Sequence, residues 1–224
     1  MASVEKFTEN AVLNQIRHIE RTIKNPSNPD IDPSRLSQDY SLIPPDRGMT
    51  AYDYYKKRKS ELYCYDRGDV KTLMGWIVTA PEDVPKDSED LFFFTVSDFL
   101  NERYGEKNCV QCVVHKDESG RAHMHWLGIP VVPDKKHGGE KICANDVLNK
   151  RELRNFHPDL QAYLKAHAVS GTVMNGITKA QGGNRRVRDM KRERQLQRNV
   201  EHEERWTTDR VRTTDRTVEI GSRW

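Results

Sequence analysis

Two apolar runs, Cys109 to His115 and His123 to Val132, flank the polar stretch Lys116-Asp-Glu-Ser-Gly-Arg-Ala122. Runs of this length around a glycine-containing polar turn pair as a β-hairpin. That pairing constrains the fold more than any other feature, because the rest of the chain must complete an antiparallel sheet around it. Residues 2–8 suit a first strand. Ala11 to Lys24 carries Val12, Ile16, Ile19 and Ile23 at helical spacing, and Asn25-Pro26 stops the pattern. Residues 51–63 read as a second helix and Trp76 to Thr79 as a strand. Ser88 to Tyr104 reads as a helix with Ser88 as its N-cap, Phe92-Phe-Phe94 in the core and Gly105 at its end. Pro158 to Ala168 reads as a helix opened by its proline. Helices mixed with an antiparallel central pairing give the class α+β.

The chain has 224 residues, 35% hydrophobic and 32% charged. So low an apolar share implies that part of it is solvated or faces a polar partner. The net charge of +3 does not by itself announce a nucleic-acid binder. Its distribution says more, since Arg185 to Arg198 holds seven Lys/Arg against Asp189 and Glu193. Such a run tracks phosphate or forms a solvated helix face. Gly182-Gly183 breaks the chain, so residues 1–183 are expected to form one domain and 184–224 a basic helical arm. The start is polar, without the apolar core of a secretion signal, and no stretch approaches the roughly 20 apolar residues of a membrane span. Four cysteines in such a chain imply reduced thiols and a cytoplasmic location. Cys109 and Cys112 form a CxxC, but residues three apart on a strand face opposite ways, so packing is expected there rather than zinc.

The chemistry concentrates in His115 to His125. His123 and His125 share one face of a strand, because side chains alternate with a period of two. His115 ends the facing strand. Three imidazoles on a rigid sheet make a three-nitrogen site with open positions, suited to Mn²⁺, Zn²⁺, Co²⁺ or Ni²⁺. Asp117 and Glu118 stand in the turn, where either can orient an imidazole or serve as a base. A metal so held can act on a phosphodiester, with water or a side chain as nucleophile. Tyr52, Tyr54 and Tyr55 are followed directly by Lys56, Lys57 and Arg58, a mixture that either stacks bases or simply forms the two faces of a helix.

Three ordered motifs then resemble the Mob/Pre plasmid mobilisation and recombination family, the MobV relaxases. They are His18-Ile-Glu-Arg21, Asp39-Tyr-Ser-Leu42 and the cluster ending His123-Met-His125, with Asn28-Pro-Asp-Ile-Asp-Pro-Ser-Arg35 between the first two. The resemblance covers roughly residues 10–180. It implies an HUH fold, an antiparallel sheet flanked by helices. It implies metal-dependent nicking and rejoining of single-stranded or hairpin transfer-origin DNA, through a covalent 5′-phosphate intermediate on a histidine. Carried over by motif, His18 attacks, and His115, His123 and His125 hold a divalent metal, Mn²⁺ first, with Mg²⁺, Zn²⁺, Co²⁺ and Ni²⁺ as alternatives. Glu118 assists, and Arg21 and Arg35 grip phosphate, joined by Arg185, Arg186 and Arg188 of the arm. Tyr40 is the rival nucleophile. The family motif has Asn where this chain has Asp39, and a shorter turn before His123. Relaxosome or coupling proteins are expected partners, and a short or isolated catalytic domain is expected where relatives continue into a dimerising C-terminal region. A rolling-circle replication initiator or transposase of the same HUH group shares these features, and a DNA-binding module with structural zinc is the non-enzymatic alternative.

Overall fold

The expected hairpin is the centre of a five-stranded antiparallel sheet. Its strands are Ala2–Thr8 (β1), Tyr40–Ser41 (β2), Lys71–Thr79 (β3), Cys109–His115 (β4) and His123–Gly128 (β5), in the order β1-β3-β5-β4-β2. Val131–Pro133 (β6) and Glu140–Ile142 (β7) form a separate antiparallel pair. The helices are Glu9–Ile19 (α1), Ala51–Ser60 (α2), Glu89–Tyr104 (α3), Ala144–Val147 (α4) and Lys150–Ala166 (α5). The computed structural model describes residues 2–24, 28–44, 47–136, 138–174 and 196. Apart from Leu196, these lie in the first of two units into which the chain divides, residues 1–175. The expected boundary at 183 and the basic helix with Arg185, Arg186 and Arg188 fall outside the described residues. Among the described residues, no helix is long and apolar enough to cross a membrane.

Alternation along the strands sorts the core into two layers. Met74, Trp76 and Val78 of β3, with Met124 and Trp126 of β5, pack against α3 and α5 through Phe92, Phe93, Phe99, Phe156 and Leu160. Leu73, Val113 and Leu127 face the other way, onto Val12, Ile16 and Ile19 of α1 and Tyr55 of α2. The odd-numbered positions of β5 therefore carry His123 and His125 on the α1 face.

Several sequence expectations shift, each for a local reason. The first helix ends at Ile19, not near Lys24, because Arg21 takes a left-handed φ of 56°. The strand from His123 ends at Gly128 instead of Val132, and Pro130 separates it from β6. The last helix begins at Lys150, where Asn149 accepts from the N–H groups of Arg151 and Glu152. That cap and the buried stripe Phe156, Leu160 and Leu164 carry it through Pro158, an interior position that usually breaks a helix. Ser88 makes no side-chain cap, because it closes a short 3-10 turn ahead of α3. Gly105 does end that helix, with a φ of 87°. Phe92 and Phe93 are buried, but Phe94 is 53% exposed, since successive helical residues point about 100° apart and cannot all face one core. Cys109 and Cys112 share a face after all, because a bulge at Val110 shifts the β4 register. Both are free, burial raises both thiol pKa values, and Cys112 is pushed up to about 12, so they are protonated packing groups.

Candidate functional site

The hairpin sets His115 directly opposite His123, and Val113 opposite His125. Ring centroids lie 5.3 Å apart for His115 and His123, 4.7 Å for His115 and His125, and 5.0 Å for His123 and His125. One nitrogen from each ring falls within 4.8 Å of the others. Among the described residues no fourth His, Cys, Asp or Glu atom joins these three within that radius. The closed four-ligand shell of a structural zinc site is not formed by them.

Burial is the main cause that lowers the pKa of all three imidazoles, and it carries His115 down to about 3. His115 also has its tautomer fixed. Its Nε2 lies 2.8 Å from the Ile19 carbonyl, and its Nδ1 lies 3.0 Å from Arg21 Nη2. A carbonyl only accepts and a guanidinium only donates, so Nε2 carries the hydrogen and Nδ1 the lone pair. A neutral, buried, three-nitrogen set fits a divalent cation of the Mn²⁺ to Zn²⁺ series. Ligation through His115 Nδ1 would replace the Arg21 hydrogen bond there.

These shifts make an expected result for the metal-free protein. The unfolded chain protonates its histidines near pH 6.5, while the folded chain resists until lower pH, so below that value U binds more protons than N. The stabilisation is fully present above pH 6.5 and is lost as pH falls through it towards the folded values, by up to about 1.4 kcal/mol per pH unit for each imidazole. Urea unfolding in EDTA at pH 7.5 and pH 5.5 checks the sign: the midpoint falls at the lower pH.

Arg21 organises the turn. Its Nε and Nη2 each donate at 2.8 Å to one oxygen of Asp117, which is fully buried, and Nη2 also lies 2.9 Å from Glu118 Oε1. The left-handed backbone at Arg21 costs on the order of 1–2 kcal/mol, and the bidentate pair offsets it. Arg21 therefore does not sit one turn after His18 on a continuous helix, as its spacing suggested. It swings away from α1 onto Asp117, leaving His18 to face the imidazole cluster. The His18 ring is 6.2 Å from that of His125, edge to face. Burial, then the Arg21 charge, lowers the His18 pKa, against the opposing pull of Glu118 and Asp117.

The polar loop after α1 lies across the hairpin turn and holds Glu118. Asp32 N donates to Asp117 O at 2.8 Å, Asn28 Nδ2 to Glu118 Oε1 at 2.9 Å, and Arg35 Nη1 to the Glu118 carbonyl at 3.1 Å. Glu118 Oε1 stays 4.0 Å from His123 Nε2 despite the longer turn. Asp39, at the motif's Asn position, accepts from the N–H groups of Lys116 at 2.7 Å and Asp117 at 3.2 Å through one oxygen. An Asn oxygen could do the same, so the acceptor survives the departure from the motif. Burial raises the Asp39 pKa. Composition and spacing gave no sign of this clasp or of the Ile19 carbonyl's role.

Tyr40 is the correction at this site. It pairs with Val114, so it points to the α3 face, opposite the imidazoles. Its hydroxyl donates to Asp90 at 2.6 Å, and burial and Asp90 together raise its pKa. Neither position nor ionisation suits attack beside the histidines. Tyr52, Tyr54 and Tyr55 divide as helix faces do, with Tyr55 buried on Thr72 and Tyr54 bonded to the Lys107 carbonyl.

Comparison with known proteins agrees with this geometry. A plasmid recombination enzyme of Streptococcus agalactiae is 28% identical over 174 residues, covering 75% of this chain and 34% of the relative. One of Lactiplantibacillus plantarum is 26% identical over 213 residues, covering 92% of this chain and 57% of the relative. The chain thus spans between a third and somewhat over half of these relatives. Among solved structures, the MobM relaxase domain bound to plasmid pMV158 oriT DNA, in its Mn-bound form at pH 6.8, superposes with a TM-score of 0.69 at 26% identity, over 86% of this chain and 97% of that one. The same domain is Mn-bound at pH 4.6. The Mob_Pre family, described as plasmid recombination enzyme, matches residues 1–192. With a match over most of its length, and with the sheet, the imidazole cluster and the flanking helices in place, the chain belongs to the Mob_Pre family of plasmid recombination enzymes.

Proposed function

We propose that the chain nicks and rejoins one DNA strand at the transfer origin of a plasmid or mobile element, through a covalent bond between His18 and the DNA 5′-phosphate. The observation that carries this reading is the His18 ring, its centroid 6.2 Å from that of His125 in a three-imidazole cluster. A divalent cation bound by His115, His123 and His125, Mn²⁺ first, would neutralise charge on the scissile phosphate. The Mn-bound state of the MobM domain at pH 4.6 supports a site whose imidazoles favour the neutral form, the direction in which burial shifts all three here.

His18 has a lone pair available near neutral pH because its pKa is lowered. One ring nitrogen attacks phosphorus, the bond from phosphorus to the 3′ oxygen breaks, and that oxygen leaves as a hydroxyl after taking a proton from solvent. The phosphorylated ring sheds its remaining N–H proton to Glu118, which is charge-coupled to His18 and held by Asn28 and Arg21. Rejoining is the reverse, with the 3′ hydroxyl as attacking group. Arg35 supplies cation charge for phosphate, since Arg21 is committed to Asp117 and Glu118; Arg185, Arg186 and Arg188 are further phosphate contacts on charge alone. Transfer-origin DNA, single-stranded or in a hairpin, is the substrate. Relaxosome or coupling proteins are the partners, and the bacterial cytoplasm is the site of action.

The test is a covalent-adduct assay with Mn²⁺ and single-stranded oligonucleotides tiling the replicon that encodes the chain. One oligonucleotide should give a protein–DNA adduct and a free 3′ hydroxyl. Nicks without any adduct would mean a water nucleophile instead. His125→Ala should remove a ligand and, in a Mn²⁺ titration, weaken binding at least about 100-fold, the upper range seen even for groups that merely support ligands.

A further inference from the structure

Ile77 is the one apolar side chain of the inner strands that the fold leaves open on the histidine face. It lies on β3, between Ser3 of β1 and His125 of β5 in a single cross-strand row. It is 37% exposed, while its strand neighbours Trp76 and Val78 are buried against the α3 and α5 layer. Ser3 is exposed as well. The row Ser3, Ile77, His125 crosses strands spaced about 4.8 Å apart, so it extends roughly 10 Å outward from the imidazole cluster. That is room for one nucleotide beyond the scissile phosphate. The floor is closed on one side, where Phe7 and Leu127 crowd over Gly75. Glu5, exposed and on the same face of β1, pairs with Gly75 in that adjacent row, a carboxylate that disfavours phosphate there.

We infer that Ile77 and Ser3 form a nucleotide subsite, in which the base next to the scissile phosphate lies flat on the Ile77 side chain. The inference rests on the nicking reading above and adds the substrate contact to it. An exposed β-branched residue on an inner strand costs hydration that a base face removes. It offers no hydrogen bond, so it fixes the position of the base without selecting its identity. The Ser3 hydroxyl at the outer end of the row is the group able to read a base edge. With the base held on Ile77 and its phosphate turned towards His125, the phosphorus is presented to His18 rather than to solvent.

The experiment is a substitution cycle on binding and on adduct formation. An oligonucleotide that binds the wild type is made with a single abasic site at each position flanking the nick, and each is measured with wild type, Ile77→Ala and Ile77→Leu. Ile77→Ala should weaken binding about five- to tenfold, from the apolar area it uncovers, with unchanged far-ultraviolet circular dichroism and melting temperature. Ile77→Leu should recover most of the loss. At one flanking position the abasic change should cost the wild type that same factor and cost Ile77→Ala nothing. Equal abasic costs in wild type and Ile77→Ala at every position overturn the subsite. Because the cycle is read in affinity, it holds even if the wild type binds without forming an adduct, an outcome that would overturn the nicking reading alone. A wild type that binds none of the tiled oligonucleotides overturns both.

Discussion

His18→Ala should abolish the covalent protein–DNA adduct and slow strand cleavage by roughly 10⁴-fold or more, the scale seen when a nucleophile that acts as part of a unit is removed. Tyr40→Phe, in the same assay, should form the adduct at close to the wild-type rate. The contrast follows from register. Tyr40 pairs with Val114, and its hydroxyl is held by Asp90 on the α3 side of the sheet. His18 stands on the other side, beside His125. The wild-type adduct should also be lost on mild acid treatment, as an N–P bond is and a tyrosyl phosphodiester is not. An adduct that survives acid, or that persists in His18→Ala and disappears in Tyr40→Phe, would reverse the assignment. His18→Ala is a sound probe of chemistry because the side chain is only half-buried, so its removal opens little core.

Arg21→Gln carries the largest expected effect on stability. It leaves the Asp117 carboxylate, with 0% side-chain exposure, without its cation. Breaking a buried pair from one side typically costs about 3–5 kcal/mol. For a chain of this size that lowers the melting temperature by roughly 6–20 °C. Arg21→Lys should recover only a small part, since an ammonium cannot span both Asp117 oxygens while also reaching Glu118 and His115. Differential scanning calorimetry of the metal-free variants decides the point. A fall below 3 °C for Arg21→Gln would mean that the turn holds itself without this ion pair. Arg21 shows why the motif's spacing is informative about function and misleading about geometry. Its place three residues after His18 suggests two neighbours on a helix. The left-handed turn at Arg21 separates them and points each at a different member of the same cluster.

Much of the site was legible because it rests on short-range periodicity. His123 and His125 share a strand face in any antiparallel hairpin, and His115 opposite His123 follows from the turn length. The cap and stop signals failed where tertiary packing overrode them, as at Ser88 and Pro158. The CxxC was read correctly as packing for a reason the bulge at Val110 removes. Burial, not strand alternation, is what keeps those thiols inert.

The sequence by itself determined the α+β class, the hairpin and the three imidazoles on one of its faces, since each depends on residues within a few positions of one another. Only the tertiary structure decided which side of the sheet Tyr40 occupies, that Arg21 clamps Asp117 from 96 residues away, and that a loop of Asn28, Asp32 and Arg35 holds Glu118. Those are long-range choices. They turn on which buried charge finds a partner when the sheet closes, and local pattern carries no information about that competition.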